Sequence, residues 1–148
     1  MIVVFFIPGE PKAKERPKFS RNMRTGKVKV YTPKGTSNYE ETVRWRYRNE
    51  FGLQKFEPDV PLMVIVKVHC YIPRSTSKKK RSLMEDNYLK PTKKPDVDNV
   101  LKIILDSLNK VAYDDDKQVV YAAVEKMYGP EPGVNVYICE YEGMISGG

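Results

Sequence analysis

The chain has 148 residues, with 26 Lys and Arg against 19 Asp and Glu for a formal charge of +7, and it carries two cysteines. That length predicts a single domain over residues 1–148, able to bury about two thirds of the surface its unfolded chain exposes and needing no disulfide to fold. No run approaches the roughly 20 apolar residues of a membrane span, "MIVVFFIPGEPK" is too short for a signal peptide, and Cys70 and Cys139 lie in apolar alternating stretches; a cytoplasmic protein with buried, reduced thiols is expected.

In chain order, Ile2 to Ile7 reads as a buried strand, continuous in apolar and β-branched residues and ended by Pro8 and Gly9. A basic loop follows, and Val28 to Thr32 reads as a short strand behind the turn signal "RTGK". Ser37, with Glu40 three residues on, has the form of a capping box. Tyr39, Val43 and Tyr47 then repeat at four-residue spacing until Gly52, which predicts a helix with one face on a core. Leu62 to Ile72 alternates, with Val64, Val66, Val68, Cys70 and Ile72 on one face of a strand. The segment from about 73 to 95 has no period and reads as a long mobile loop.

A second helix follows, with Val100, Leu101, Ile104, Leu105, Leu108 and Val111 on its apolar face and Asn99, Lys102, Asp106, Asn109 and Lys110 on the other. Two strands close the chain, Gln118 to Tyr128 and Val134 to Tyr141, joined by the turn "GPEPG", and the tail "GMISGG" reads as frayed. The order β-β-α-β-α-β-β predicts an α/β (α+β) domain, a mixed sheet with two packed helices.

Charge is unevenly distributed. Residues 10–34 hold nine basic and two acidic groups and residues 73–95 hold eight and two, whereas residues 96–116 hold six acids and two lysines. Two basic segments ahead of an acidic centre fit a polyanion partner better than a uniform basic surface does.

The acidic centre opens with "KPDVDNVLK". Asp96 and Asp98 flank Val97, and residues two apart in an extended segment project to one face, so both carboxylates can address one point. Asp98 would also serve as a helix N-cap, a role that leaves Asp96 unexplained. Lys102 lies one turn further on the outward face, and a plain ion pair with Asp98 is its simplest use. Asp106 reads as a surface acid between Lys102 and Lys110. "YDDDKQVV" begins beyond the helix, so the chain can turn back with a third carboxylate. Hard oxygen ligands with a single histidine and no cysteine pair favour Mg²⁺, or Mn²⁺ in its place, over zinc. In a basic groove such an ion serves phosphodiester hydrolysis. There is no Walker loop, no Ser–His arrangement and no helix-turn-helix pattern, and His69 reads as structural.

"KPDVDNVLKIILDSLNKVAYDDDKQVV", Lys94 to Val120, resembles the signature of the RusA family of Holliday-junction resolvases: Asp-x-Asp-Asn, a lysine three residues after the Asn, and Asp-Asp-x-Gln-Val about twenty residues on. The likeness extends less sharply to "IPGEPKAKERPKF" and "VYTP". It implies a mixed α/β homodimer that cuts four-way DNA junctions with Mg²⁺, with Asp96, Asp98 and Asp116 as the metal-binding catalytic carboxylates and Lys102 as the essential lysine. Asp115 matches the preceding family aspartate, and the extra Asp114 blurs the register of the third carboxylate by one. Arg16, Lys18, Arg21, Arg24, Lys78, Lys79, Lys80, Arg81 and Lys94 are the expected phosphate contacts. A nuclease without preference for branched DNA, and a non-catalytic DNA-binding module, stay open as rival readings. A phage or prophage origin is in keeping with the family.

Overall fold

A computed structural model describes residues 1–10, 17–31 and 34–143. Its elements are β1 (Ile2–Pro8), β2 (Lys18–Arg21), β3 (Val28–Tyr31), α1 (Lys34–Phe51), β4 (Leu62–Cys70), α2 (Lys78–Glu85), α3 (Val97–Ser107), β5 (Val119–Tyr128) and β6 (Gly133–Glu140), with a short 3₁₀ turn at Asp116–Gln118. No helix among the described residues is long and apolar enough to cross a membrane.

The main sheet has the order β1-β6-β4-β5. β4 pairs parallel to β5, and the β1–β6 and β6–β4 pairs are antiparallel. A parallel pair needs a long crossover, and here the crossover carries α2 and α3. The mixed α/β architecture is as expected. The structure adds β2, which pairs with β3 in a separate hairpin, and α2.

Alternation places Val64, Val66 and Val68 of β4, Val134, Val136 and Ile138 of β6, and Val3, Phe5 and Ile7 of β1 on one face of the sheet, where α1 and α3 cover them. α1 contributes Tyr39, Val43 and Tyr47, and α3 contributes Val100, Ile103 and Ile104. Tyr47 and Phe51 meet Phe5 edge-on at 5.7 and 6.3 Å between ring centres, and the Tyr47 hydroxyl donates to the Gln54 carbonyl at 2.6 Å.

Several local expectations change. β1 is half-buried rather than buried, because only one face of the sheet is covered and β1 lies at its edge. α1 begins at Lys34, so Ser37 lies inside its first turn rather than ahead of it. Gly52 ends α1 as expected, with φ +61°. Both cysteines are free, Cys70 buried and Cys139 only half-buried. The 73–95 segment contains α2, begun by the Ser77 hydroxyl accepting from the Lys80 amide at 3.3 Å and anchored by buried Met84. One apolar anchor in eight residues leaves too little pattern for a period to be read. The tail beyond Gly143 lies outside the described residues.

At the start of β6 a side chain cannot be accommodated. A Cβ on Gly133 would stand 2.2 Å from Phe6 Cζ and 2.7 Å from the Ile7 carbonyl oxygen, and the second is backbone that cannot swing away. Gly133→Ala is therefore expected to destabilise the fold by about 1–3 kcal/mol, measured as a fall in the urea unfolding midpoint.

Candidate active site

The crossover from β4 to β5 determines where each acid stands. The segment leading into α3 is tied to β5: Lys90 pairs with Glu125 at 2.8 Å, and Lys126 donates to the Lys93 carbonyl. Glu125 also pairs with Lys67 on β4 at 2.7 Å, and these two lysines hold its carboxyl at about 2. A cis Lys94–Pro95 bond follows, and then Asp96.

The helix begins two residues earlier than expected, which moves the N-cap from Asp98 to Asp96. Asp96 is the N-cap residue, with extended backbone (φ −74°, ψ 144°) and no side-chain capping bond, and Asp98 lies in the first helical turn. Both are exposed. Asp98 gains from the positive end of the helix dipole. Among the described residues no ion pair joins either carboxylate, or Lys102, to a partner, so the plain Asp98–Lys102 ion pair does not form. Lys102 is exposed one turn after Asp98 on the same outward face.

At the far end of α3 the chain reverses through Lys110, at φ +65°. The Tyr113 hydroxyl reaches back to the Leu105 carbonyl at 2.6 Å, one of the carbonyls a helix end leaves over, and Asn109 Oδ1 accepts from the Asp116 amide at 2.8 Å. The three consecutive aspartates then have three different settings. Asp114 is neutralised by Lys55 at 3.1 Å and Lys110 at 3.5 Å, and the Lys55 hydrogen bond, with Lys110 beside it, holds its carboxyl below the usual range. Asp115 caps the 3₁₀ turn, its carboxylate accepting from the Lys117 amide at 2.9 Å. Asp116 has neither use. Burial, then the Asp106 carboxyl against it, push the Asp116 carboxyl above the ordinary range. Asp106, read from the sequence as a plain surface acid, is thus the neighbour of Asp116.

The acids therefore form two groups at opposite ends of one helix. Asp98 and Asp106 are eight residues apart, about 12 Å along the axis, and Asp116 stands with Asp106. Among the described residues no three His, Cys, Asp or Glu side chains converge closely enough to hold a metal ion. The donor set nonetheless suits a hard divalent cation. Asp96 and Asp98 are carboxylates without cationic partners, Asp106 and Asp116 crowd each other, and an ion such as Mg²⁺ commonly takes only one or two carboxylates beside water and phosphate.

Of the expected phosphate contacts, Lys18, Arg21 and Arg24 lie on or beside the exposed β2–β3 hairpin, and Lys94 is exposed next to Asp96. Lys78, Lys79 and Lys80 are exposed on α2, whereas Arg81 turns back to donate to the Pro73 carbonyl at 3.1 Å. A helix directs consecutive residues around its circumference, so these four do not share one face. Arg16 lies outside the described residues. His69 is held between strands, its Nε2 3.0 Å from Asn135 Nδ2, a structural setting.

Sequence reasoning passed over Gln118. It is buried, its Nε2 donates to the carbonyls of Glu57 at 3.0 Å and Val60 at 3.1 Å, and its Oε1 accepts from the amides of Asp114 at 3.1 Å and Asp115 at 3.3 Å. The Asp-Asp-x-Gln spacing was visible in the sequence, but the partners 58 and 61 residues away were not.

A single-domain mixed α/β fold with unpaired carboxylates at the start of a crossover helix, beside a lysine and in a basic chain, is suited to phosphate-ester chemistry. The model of the family described as Endodeoxyribonuclease RusA matches residues 8–139, and the chain belongs to that family. It is 40% identical over 143 residues to the uncharacterized protein YqaN of Bacillus subtilis (strain 168), covering 93% of this chain and 96% of that one. It is 28% identical over 116 residues to the crossover junction endodeoxyribonuclease rusA of Lactococcus phage r1t, covering 78% and 80%. Family membership decides for an endodeoxyribonuclease over a non-catalytic binding module.

Two tests follow from the far end of α3. Gln118→Ala would leave backbone groups of both stretches without partners, at a cost of about 1–3 kcal/mol in chemical denaturation. Asp116 binds its proton more tightly in the folded chain than in the unfolded one. Without metal, stability therefore falls as pH rises from the ordinary carboxylate value through the raised one. Asp116→Asn should match wild type in acid below that window and exceed it above by up to about 1 kcal/mol, read from melting temperatures.

Proposed function

We propose that the protein is a resolvase of four-way DNA junctions that acts as a homodimer with Mg²⁺, Mn²⁺ serving in its place, and cuts two symmetry-related strands. The observation that carries the reading is the unpaired Asp96 and Asp98 beside Lys102 in a chain of charge +7. A basic protein has lysines to spare, and those at Asp114 neutralise their carboxylate directly. Carboxylates left bare in that setting suit a cation that arrives with the substrate. The junction itself comes from the Lactococcus phage relative, whose name specifies crossover junctions.

In this reading Asp96 and Asp98 hold the ion, and Asp116 is the third carboxylate of the family signature. A divalent ion so bound supplies charge neutralisation at the phosphate and a bound water of lowered pKa. The chain's own part is positional. The ties of Lys90 and Lys126 steady the approach to Asp96, and the N-terminus of α3 favours negative charge in front of it. Lys102 extends from the outward face to stabilise charge developing on the phosphate oxygens. Lys18, Arg21, Arg24, Lys78, Lys79, Lys80 and Lys94 contact phosphates, with Arg16 and Arg81 completing the expected set. Each phosphate neutralised on duplex DNA steepens the salt dependence of binding by about 0.9 log unit per log unit. Two identical sites related by a two-fold axis match the two strands a junction must lose.

The test is nicking of an immobile four-way junction against linear duplex, by wild type and Asp96→Asn, with Mg²⁺ and with chelator. Paired symmetric nicks confined to the junction are expected, abolished by chelator and reduced about 100-fold or more by Asp96→Asn, with junction binding retained. Equal cutting of duplex would instead make the protein a nuclease without structure selectivity.

A further inference from the structure

The main sheet has two faces, and helices cover one. Strand registers align the side chains of the other into rows across all four strands. Val4, Tyr137, Ile65 and Ala123 form one row. Ile2, Cys139, Met63 and Tyr121 form the next, at the edge of a concavity of about 650 Å³. Ile2 is 75% exposed, Tyr121 48%, Val4 41% and Tyr137 38%, which is unusual for neighbouring large apolar groups. In the row beyond them Glu125 is paired by Lys67 at 2.7 Å and by Lys90 at 2.8 Å.

We infer that this open sheet face is where two copies of the chain meet, sheet against sheet. The inference rests on the homodimeric reading above and gives it a surface. Nucleic acid is a poor occupant, since the two apolar rows offer no cation while the basic residues lie on the β2–β3 hairpin and α2. A second copy is a good one. Two rows without a charged side chain can oppose themselves across a two-fold axis without like-charge repulsion, as the rest of a +7 protein could not easily do. The area is sufficient. Four strands about 4.8 Å apart and about eight residues long at about 3.3 Å per residue give a flat footprint on the order of 500 Å². The pair then buries roughly 1,000 Å² before side-chain relief is counted, the threshold for a specific interface. The face opposite α3 also leaves Asp96, Asp98 and Lys102 unobstructed, because they lie on the helical side.

The experiment is sedimentation equilibrium of the full chain without DNA or metal. Wild type is compared with Tyr137→Glu and Val4→Lys, with Leu53→Lys, at a 95% exposed site in the turn after α1, as control. Circular dichroism and urea unfolding report whether each variant is folded. Wild type and the control are expected at twice the 17.1 kDa of one chain, and the two sheet-face variants, folded, at 17.1 kDa, with dimer dissociation constants raised at least about 30-fold. A folded variant pair that stays dimeric overturns the assignment of this face while leaving the dimer intact. A monomeric wild type overturns the assignment together with the dimer, and the nicking of junction against duplex still decides the nuclease reading by itself. Should both variants misfold, protection of the Cys139 thiol from alkylation in concentrated but not in dilute wild-type protein supports the interface, and equal reactivity at both concentrations overturns it.

Discussion

Gln118, buried at the foot of β5, donates from its amide to the carbonyls of Glu57 and Val60 and accepts from the amides of Asp114 and Asp115. The same two stretches are joined again by the Phe56 amide on the Ala112 carbonyl at 2.8 Å and by Lys55 on Asp114. Polar backbone this far from regular structure must find partners or pay a desolvation cost, and one side-chain amide provides for both stretches at once. Fixing the loop ahead of β4 against the turn ahead of β5 sets the two parallel strands side by side. Their registry then sets where the crossover begins and ends.

That crossover explains the distribution of the acids. A helix joining parallel strands runs back against them, starting near the carboxyl end of one and finishing near the amino end of the next. Asp96 and Asp98 open α3, and Asp116 follows its end, so the connection that brings them close in sequence separates them in space by most of the helix. The expectation that the chain turns back is met, but it turns back to Asp106. Periodicity alone could not reveal this, because it places residues on faces of a helix and says nothing of which end of the helix a later loop rejoins.

Much of the fold was legible for a related reason. β4, α1 and α3 bury one regular stripe each, so Val64, Val66 and Val68, or Val100 and Ile104, identify themselves by spacing, although the buried Ile103 was passed over. β2 and α2 escaped notice because neither buries a stripe: β2 is exposed throughout, and α2 anchors itself with Met84 alone. The start of α3 was misplaced by two residues, since Asp96 and Asp98 are both good N-caps by composition and only the backbone distinguishes them. The three roles within Asp114 to Asp116 were illegible altogether, being set by Lys55, Asn109 and Asp106, which come from three different parts of the chain.

Those roles bear on why the chain keeps its acids. Asp114 has lysines and Asp115 has an amide to cap, so each is compensated by something local, whereas Asp98 has the helix dipole but no cation. Asp96 is exposed, where water serves it at little cost. Asp116 differs: partly buried and beside a second carboxyl, it is harder to ionise in the folded chain than in the unfolded one. The fold uses Asn109 to fix the Asp116 backbone and Tyr113 to hold the turn against α3, and it keeps the Asp116 carboxyl beside Asp106, where a hydrogen bond with Asn109 offsets only part of the cost of burial and like charge.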